Sequence, residues 1–164
     1  MRDFPGFLRY YKVWTLLHEL EHAMSQVIIR DLKPLGITPR QALCLDILRV
    51  YGKPLTPAGI ARLQLRKRNS IRVLLNRMER EGLLKQTRDL DQKNQIRLSL
   101  TEKGNKASDL SAYETLAQVF SSLSEAECQQ LTSLLDRLLD RALGELGVDD
   151  RLEFAEIDKR LDSL

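Results

Sequence analysis

Apolar residues recur at positions 4, 7, 8, 11, 13, 14, 16, 17, 20, 24, 27 and 28. That helical spacing predicts one long first helix from about Phe4 to Lys33, which Pro34 and Gly36 end. Thr38-Pro39 supplies an N-cap and a proline pre-set for the first helical position. It opens a second helix (QALCLDILRVYG) that Gly52 closes. Thr56-Pro57 repeats the device for a short third helix through about Leu63. The fourth helix is predicted from about Lys67 to Glu81, with Gly82 as its left-handed terminator. At about 100° per residue, Ile71, Leu74, Leu75 and Met78 fall on one face, and Asn69, Arg72, Val73, Asn76 and Arg80 on the other. The first set is core, and the second is what the helix offers to a partner.

After Gly82 the period changes from helical to two. Leu83 to Arg88 and Gln95 to Leu100 flank the turn-forming segment DLDQKN. In the second run Ile96, Leu98 and Leu100 alternate with Gln95, Arg97 and Ser99, as in a half-buried antiparallel strand. Thr101 then caps a fifth helix carrying Ala107, Leu110, Tyr113, Leu116, Ala117 and Phe120. Ser124 with Glu127 forms a capping box before a sixth helix. This last helix carries a broad stripe of Leu131, Leu134, Leu135, Leu138, Leu139, Ala142, Leu143 and Leu146. Beyond Gly147 a tail with six acids and three bases reads as a weakly held terminal helix.

A helix pair, a basic helix and a strand-turn-strand ribbon, in that order, make a winged helix. The predicted class is therefore mainly α with a small β wing: a winged helix-turn-helix DNA-binding lobe plus a helical dimerisation region. The division is an N-terminal dimerisation helix (1–36), the winged lobe (37–103), C-terminal dimerisation helices (104–147) and an acidic terminal helix or tail (148–164).

Charge sharpens this picture. Between Arg62 and Arg97 eleven Lys/Arg face four acids, a local net of +7 in a chain whose total is +3, so the remainder carries −4. Concentrated positive charge on a helix-plus-ribbon unit is the footprint of a nucleic-acid binder. Arg66, Lys67 and Arg68 crowd the start of the fourth helix, where the macrodipole already disfavours cations by about 0.3–1 kcal/mol each. A phosphate-bearing partner accounts for that arrangement, because helix N-termini and basic side chains both attract phosphate oxygens. A solvated basic surface is the alternative.

Within the patch, Asn69, Arg72 and Asn76 are candidates for reading base edges in a major groove. Val73 reads either as a contact for a thymine methyl or as a tolerated surface apolar residue. Arg66, Lys67, Arg68, Arg77 and Arg80 suit phosphates, with Arg77 also placed for a structural ion pair. Ser70 completes the set on the helix. At the wing, Lys93, flanked by Arg88 and Arg97, would reach a minor groove or its phosphate rims.

Other chemistry finds little foothold. Aromatics are 5% of the chain, too few for a stacking platform on single strands. Cys44 and Cys128 lie among apolar neighbours with no CxxC, which predicts inert buried thiols. His18 and His22 stand four apart beside Glu19 and Glu21. Such a pair can hold zinc only with ligands from elsewhere, so the expectation is one histidine packed, one exposed, no metal and no other cofactor. A metal-responsive regulator using this pair is kept as an alternative. No phosphate loop, GxSxG or Cys/His nucleophile arrangement points to an enzyme. No apolar run approaches the roughly 18 residues of a membrane span, and Arg9, Lys12, His18, Glu19 and Glu21 interrupt any signal-peptide core. A cytoplasmic, nucleoid-associated protein is expected, with double-stranded DNA and a second copy of itself as partners. A different class also fits, a winged-helix module whose basic face docks an acidic protein.

The segments LGITPRQALCLDIL, PLTPAGIARL, NRMEREGLL and IRLSLTEKG resemble the MarR family of bacterial transcriptional regulators. The last two are similar to its "DRLExxGLV" and "vxLTxxG" signatures. The resemblance implies a homodimer of winged-helix subunits joined through the first, fifth and sixth helices. It also implies a pseudo-palindromic operator and, usually, repression released by a small ligand. Tyr11, Trp14 and His18 would line an effector crevice between the dimer helices and the winged lobe, or else form dimer core. Two departures stand out. Gln92 and Asn94 occupy the wing-tip positions where the family usually has Asp and a minor-groove Arg, which passes that role to Lys93, and Gln86 sits where Arg is frequent.

Overall fold

A computed structural model describes residues 4–51, 55–89, 95–108 and 114–147. The elements are α1 (Phe4–Leu32), a 3-10 turn (Lys33–Leu35), α2 (Pro39–Tyr51), α3 (Pro57–Leu63), α4 (Arg68–Arg80), β1 (Leu84–Asp89), β2 (Gln95–Leu100), α5 (Glu102–Ala107), α6 (Glu114–Phe120) and α7 (Glu125–Glu145). This is a winged helix carrying additional helices at both ends. Gly36 takes a φ of 66° after the 3-10 turn, a left-handed conformation that a side chain would disfavour.

Short-range capping chemistry sets the helix starts. The Thr56 hydroxyl accepts from the Gly59 N–H at 3.1 Å, and that of Thr101 from the Gly104 N–H at 3.0 Å. Ser124 and Glu127 form a reciprocal capping box. Thr38 makes a similar arrangement with Gln41, whose Oε1 accepts the Thr38 N–H at 2.8 Å while the Gln41 N–H donates to the Thr38 hydroxyl at 3.3 Å.

The core lies beneath α4. Leu45 and Cys44 of α2, Ile60 of α3, Leu75 and Met78 of α4, and Leu83, Leu84 and Leu98 of the wing are all buried, joined by Leu32 at the end of α1. Truncating a residue such as Leu75 to Ala would cost about 2–5 kcal/mol. Burial pushes the Cys44 thiol up to about 12, with the Asp46 charge adding to it, so this sulfur is inert at neutral pH. Leu74 is half-buried rather than core.

β1 and β2 pair antiparallel with Leu84 opposite Leu100 and Arg88 opposite Ile96. A third segment joins them. Leu55 bridges to Leu98, its carbonyl accepting the Leu98 N–H at 2.9 Å. The inward face weakens toward the tip, since Leu98 is buried but Ile96 is 39% exposed. At the base of the wing the Thr101 hydroxyl lies 2.6 Å from the Gly82 carbonyl and 3.1 Å from that of Leu83. Gly104 packs so closely on the Leu83 backbone that an added Cβ would overlap its carbonyl.

Three expectations need correction. The helix started by Thr101 stops at Ala107 rather than running on to Phe120. The Ser108 hydroxyl turns back to the Asn105 carbonyl at 3.1 Å, and its own carbonyl accepts from Arg49 at 2.6 Å. Leu110 and Tyr113 lie outside the described residues, as do Gly52 and the tail from 148 onward. His18 and His22 are both exposed in the single chain, where neither is packed. Cys128 is half-buried, not buried, because α7 presents most of its surface to solvent in the single chain.

Candidate nucleic-acid interface

Both ends of α4 are set by the same C-terminal motif. At the end of α3 the Arg66 N–H returns to the Ala61 carbonyl (2.8 Å) and the Leu65 N–H to that of Arg62 (2.9 Å). At the end of α4 the Leu83 N–H returns to Met78 and the Gly82 N–H to Glu79, each at 2.9 Å. This double return requires a left-handed residue just past the helix. Gly82 meets the requirement with a φ of 73°, while Leu65 meets it with a φ of 49° despite its side chain. That strained turn places α4 against α3 and brings Arg66 and Lys67 to the start of the exposed helix.

The first turn of α4 holds no acidic residue and no side-chain cap. Its N–H groups thus face solvent beside Arg66, Lys67 and Arg68, all exposed, which is an anion-attracting arrangement. Asn69, Ser70, Arg72 and Val73 follow on the outward side, and Val73 is 69% exposed. Ile71, Leu75 and Met78 are buried on the other.

Two cavities flank α4. A groove of about 1010 Å³ between the start of α3, α4 and β2 is lined by Thr56, Arg62, Arg68, Asn69, Arg72 and Arg97, among others. A smaller one of about 350 Å³ on the opposite flank is lined by Thr38, Arg40, Arg66, Ser70, Val73 and Arg77, among others. The structure thus gathers most of the sequence-predicted residues around one helix. It also adds Arg62 and Arg40, which sequence reasoning did not select. Arg62 already stood in the local charge count, and Arg40 directly follows the Thr38-Pro39 helix start.

The second half of α4 is engaged within the protein. Arg77 pairs with Glu81 at 2.8 Å, as its position suggested. Glu81 also accepts from the amide of Gln41, which is 2% exposed. The hydrogen bond from Arg77 chiefly holds the Glu81 carboxyl below its ordinary range, helped by Gln41 and the nearby charges of Arg77 and Lys103. Arg80 donates to the Asn76 carbonyl at 3.3 Å. Asn76 turns its side-chain oxygen to Gln86 of β1 at 3.0 Å. Arg88 is exposed on β1, and Lys93 lies outside the described residues.

Tyr11, Trp14 and His18 face solvent on α1 in the single chain, where the ring of Tyr11 stacks on Phe7 with centroids 6.1 Å apart. Among the described residues no group of three or more His, Cys, Asp or Glu is placed to hold a metal ion. Nor, among them, is any helix long and apolar enough to cross a membrane.

No family model matches the chain. YkoM of Bacillus subtilis (strain 168), described as an uncharacterized HTH-type transcriptional regulator, is 31% identical over 119 residues, covering 70% of this chain and 76% of YkoM. The chain belongs to the MarR family of winged-helix transcriptional regulators. MepR of S. aureus, solved as a DNA complex, superposes with a TM-score of 0.71 at 27% identity, covering 77% of this chain and 94% of MepR. A mutant MarR from E. coli, complexed with operator DNA, has a TM-score of 0.71 over 81% of this chain and 97% of its own, at 19% identity that speaks for the fold alone. Within the family signature two departures meet in space. Asn76 stands where "DRLExxGLV" begins with Asp, and its partner Gln86 stands where Arg is frequent, so a neutral pair joins α4 to the wing.

Proposed function

We propose that the protein is a sequence-specific regulator that binds double-stranded DNA as a homodimer on a pseudo-palindromic operator, acting as a repressor released by a small-molecule effector. The observation that carries this reading is the setting of α4: an exposed face with Asn69 and Arg72, an uncapped basic N-terminus, and an arginine-lined cavity on each flank. A major groove about 12 Å wide admits one helix, and its two rims are phosphate strands. In this reading Asn69, Arg72 and Val73 meet base edges, while Arg40, Arg62, Arg66, Lys67, Arg68, Ser70 and Arg97 meet the rims. Arg88 and Lys93 serve the adjoining minor groove. Arg77 and Arg80 contribute charge from the tied half of the helix.

Dimerisation is supported by the apolar surface that one chain leaves open. Phe7, Tyr10, Tyr11 and Trp14 on α1 and Leu134, Leu135, Leu138 and Leu146 at the other end are exposed, and grouped exposed apolar residues mark interaction surfaces. Family membership supports the effector, with the surroundings of Tyr11, Trp14 and His18 in the assembled dimer as its place.

Selection of bound duplexes from a random pool, followed by salt titration, tests the reading. A palindrome with half-sites about 34–36 Å apart is expected, with affinity falling steeply as salt rises. A protein that enriches no duplex, or binds without salt dependence, would overturn it.

A further inference from the structure

Three polar side chains join α4 to the wing in a chain whose hydrogen-bond direction is fixed from one end. The Gln86 backbone N–H donates to Glu79 Oε1 at 2.8 Å. Gln86 Nε2 donates to Glu79 Oε2 at 3.0 Å and to Asn76 Oδ1 at 3.0 Å. An ionised carboxylate only accepts, so the end of the Gln86 amide that faces Glu79 must be nitrogen. That nitrogen has two hydrogens, and the second goes to Asn76, which must answer with oxygen. The Asn76 amide nitrogen is then the end of the amide not used toward the wing, on a residue that is exposed on α4 like Asn69 and Arg72.

We infer that Gln86 is a specificity-determining positioning residue, which makes Asn76 a hydrogen-bond donor toward DNA by turning its oxygen to the wing. This rests on the DNA-binding reading above and names the base class at one operator position. An asparagine free to rotate reads adenine with oxygen and nitrogen together. With its oxygen aimed at Gln86, Asn76 selects an edge rich in acceptors: guanine through N7 and O6, or thymine through O4. Cytosine, which offers the N4 donor, is rejected.

The same logic gives an inversion. In Glu79→Gln the Gln86 backbone N–H still needs an acceptor, so the introduced amide places its oxygen there and its nitrogen toward the Gln86 side chain. Gln86 then presents oxygen, Asn76 answers with nitrogen, and the Asn76 oxygen faces outward. The preferred edge becomes one with a donor, adenine N6 or cytosine N4.

The experiment selects duplexes from a random pool with the full-length parent, Glu79→Gln, Gln86→Met and Asn76→Ala. The parent should enrich guanine or thymine at one symmetry-related pair of positions, and Asn76→Ala should flatten that pair alone. Glu79→Gln should shift it to adenine or cytosine by about five- to tenfold, and Gln86→Met should admit adenine. The rest of the palindrome, unchanged in each variant, reports that the variant is folded. Identical preferences in all four proteins, or a parent preferring adenine or cytosine at the pair that Asn76→Ala flattens, would overturn the inference while leaving DNA binding intact. A parent that enriches no duplex overturns the DNA-binding reading and this inference with it.

Discussion

Leu65 and Gly82 occupy the same place in the same turn, and they offer a matched test of backbone strain. An L-residue in the left-handed region costs about 1–2 kcal/mol, a cost glycine escapes. Gly82→Ala should therefore lower stability by about 1–2 kcal/mol in urea unfolding. Leu65→Gly should leave it unchanged or raise it, the relieved strain being offset by a more flexible unfolded chain and by loss of the half-buried part of the side chain. At Gly104 the obstacle is space, and Gly104→Ala is expected to cost about 3 kcal/mol or more, read from the same unfolding midpoint. Glu81 adds a pH dependence. Its carboxyl is held low in the folded protein, so its contribution is complete above the ordinary carboxylate range and is lost as pH falls through the depressed folded value. Stability of Glu81→Gln, followed across acid pH, should accordingly fall less steeply than that of the parent. Caps at Thr56, Thr101 and Ser124 were readable because donor and acceptor lie within three residues. The ties from Gln41 to Glu81 and from Gln86 to Asn76 were hidden, because they join residues that only tertiary packing brings together.

Among the elements, α4 was the most legible, since its buried residues recur at helical period and its charges sit on the other side. The expectation that Asn76 points freely at a groove did not include the strand that packs beside it. The fifth helix was less legible. Apolar residues keep their spacing through Phe120, yet Arg49 from α2 takes the Ser108 carbonyl and the described helix ends at Ala107. The Leu55 segment was missed because a single bridge leaves no period to detect. Two substitutions divide the labour of helix and flank. Arg72→Ala is expected to cost about 1–3 kcal/mol of operator affinity and to relax base preference. Arg40→Ala, on a rim, should weaken operator and random duplexes alike and reduce the slope of log affinity against log salt by about one. Both are measured by titrating labelled duplexes at several salt concentrations.

For the molecule as a whole, the sequence separates a basic middle, +7 between Arg62 and Arg97, from an acidic stretch after Arg97, −7, with +3 before Arg62. In the proposed assembly the surfaces divide the partners: the basic middle meets a polyanion, and the open apolar surfaces of α1 and α7 meet another copy. Sedimentation at micromolar concentration should find a dimer, and Leu138→Glu, which sets a charge on an exposed apolar stripe, should shift it toward monomer and weaken palindromic binding far more than binding to a half-site. The joint between Leu83 and Gly104 has a consequence on a longer timescale. Only a hydrogen atom fits there, so the joint fixes where the ribbon leaves the body while touching none of the residues that face outward from α4. Descendants of this gene can drift to new targets by exchanging Asn69, Arg72 or Gln86 one at a time. Those that keep Thr101 and Gly104 should come to recognise different promoters with the same silhouette.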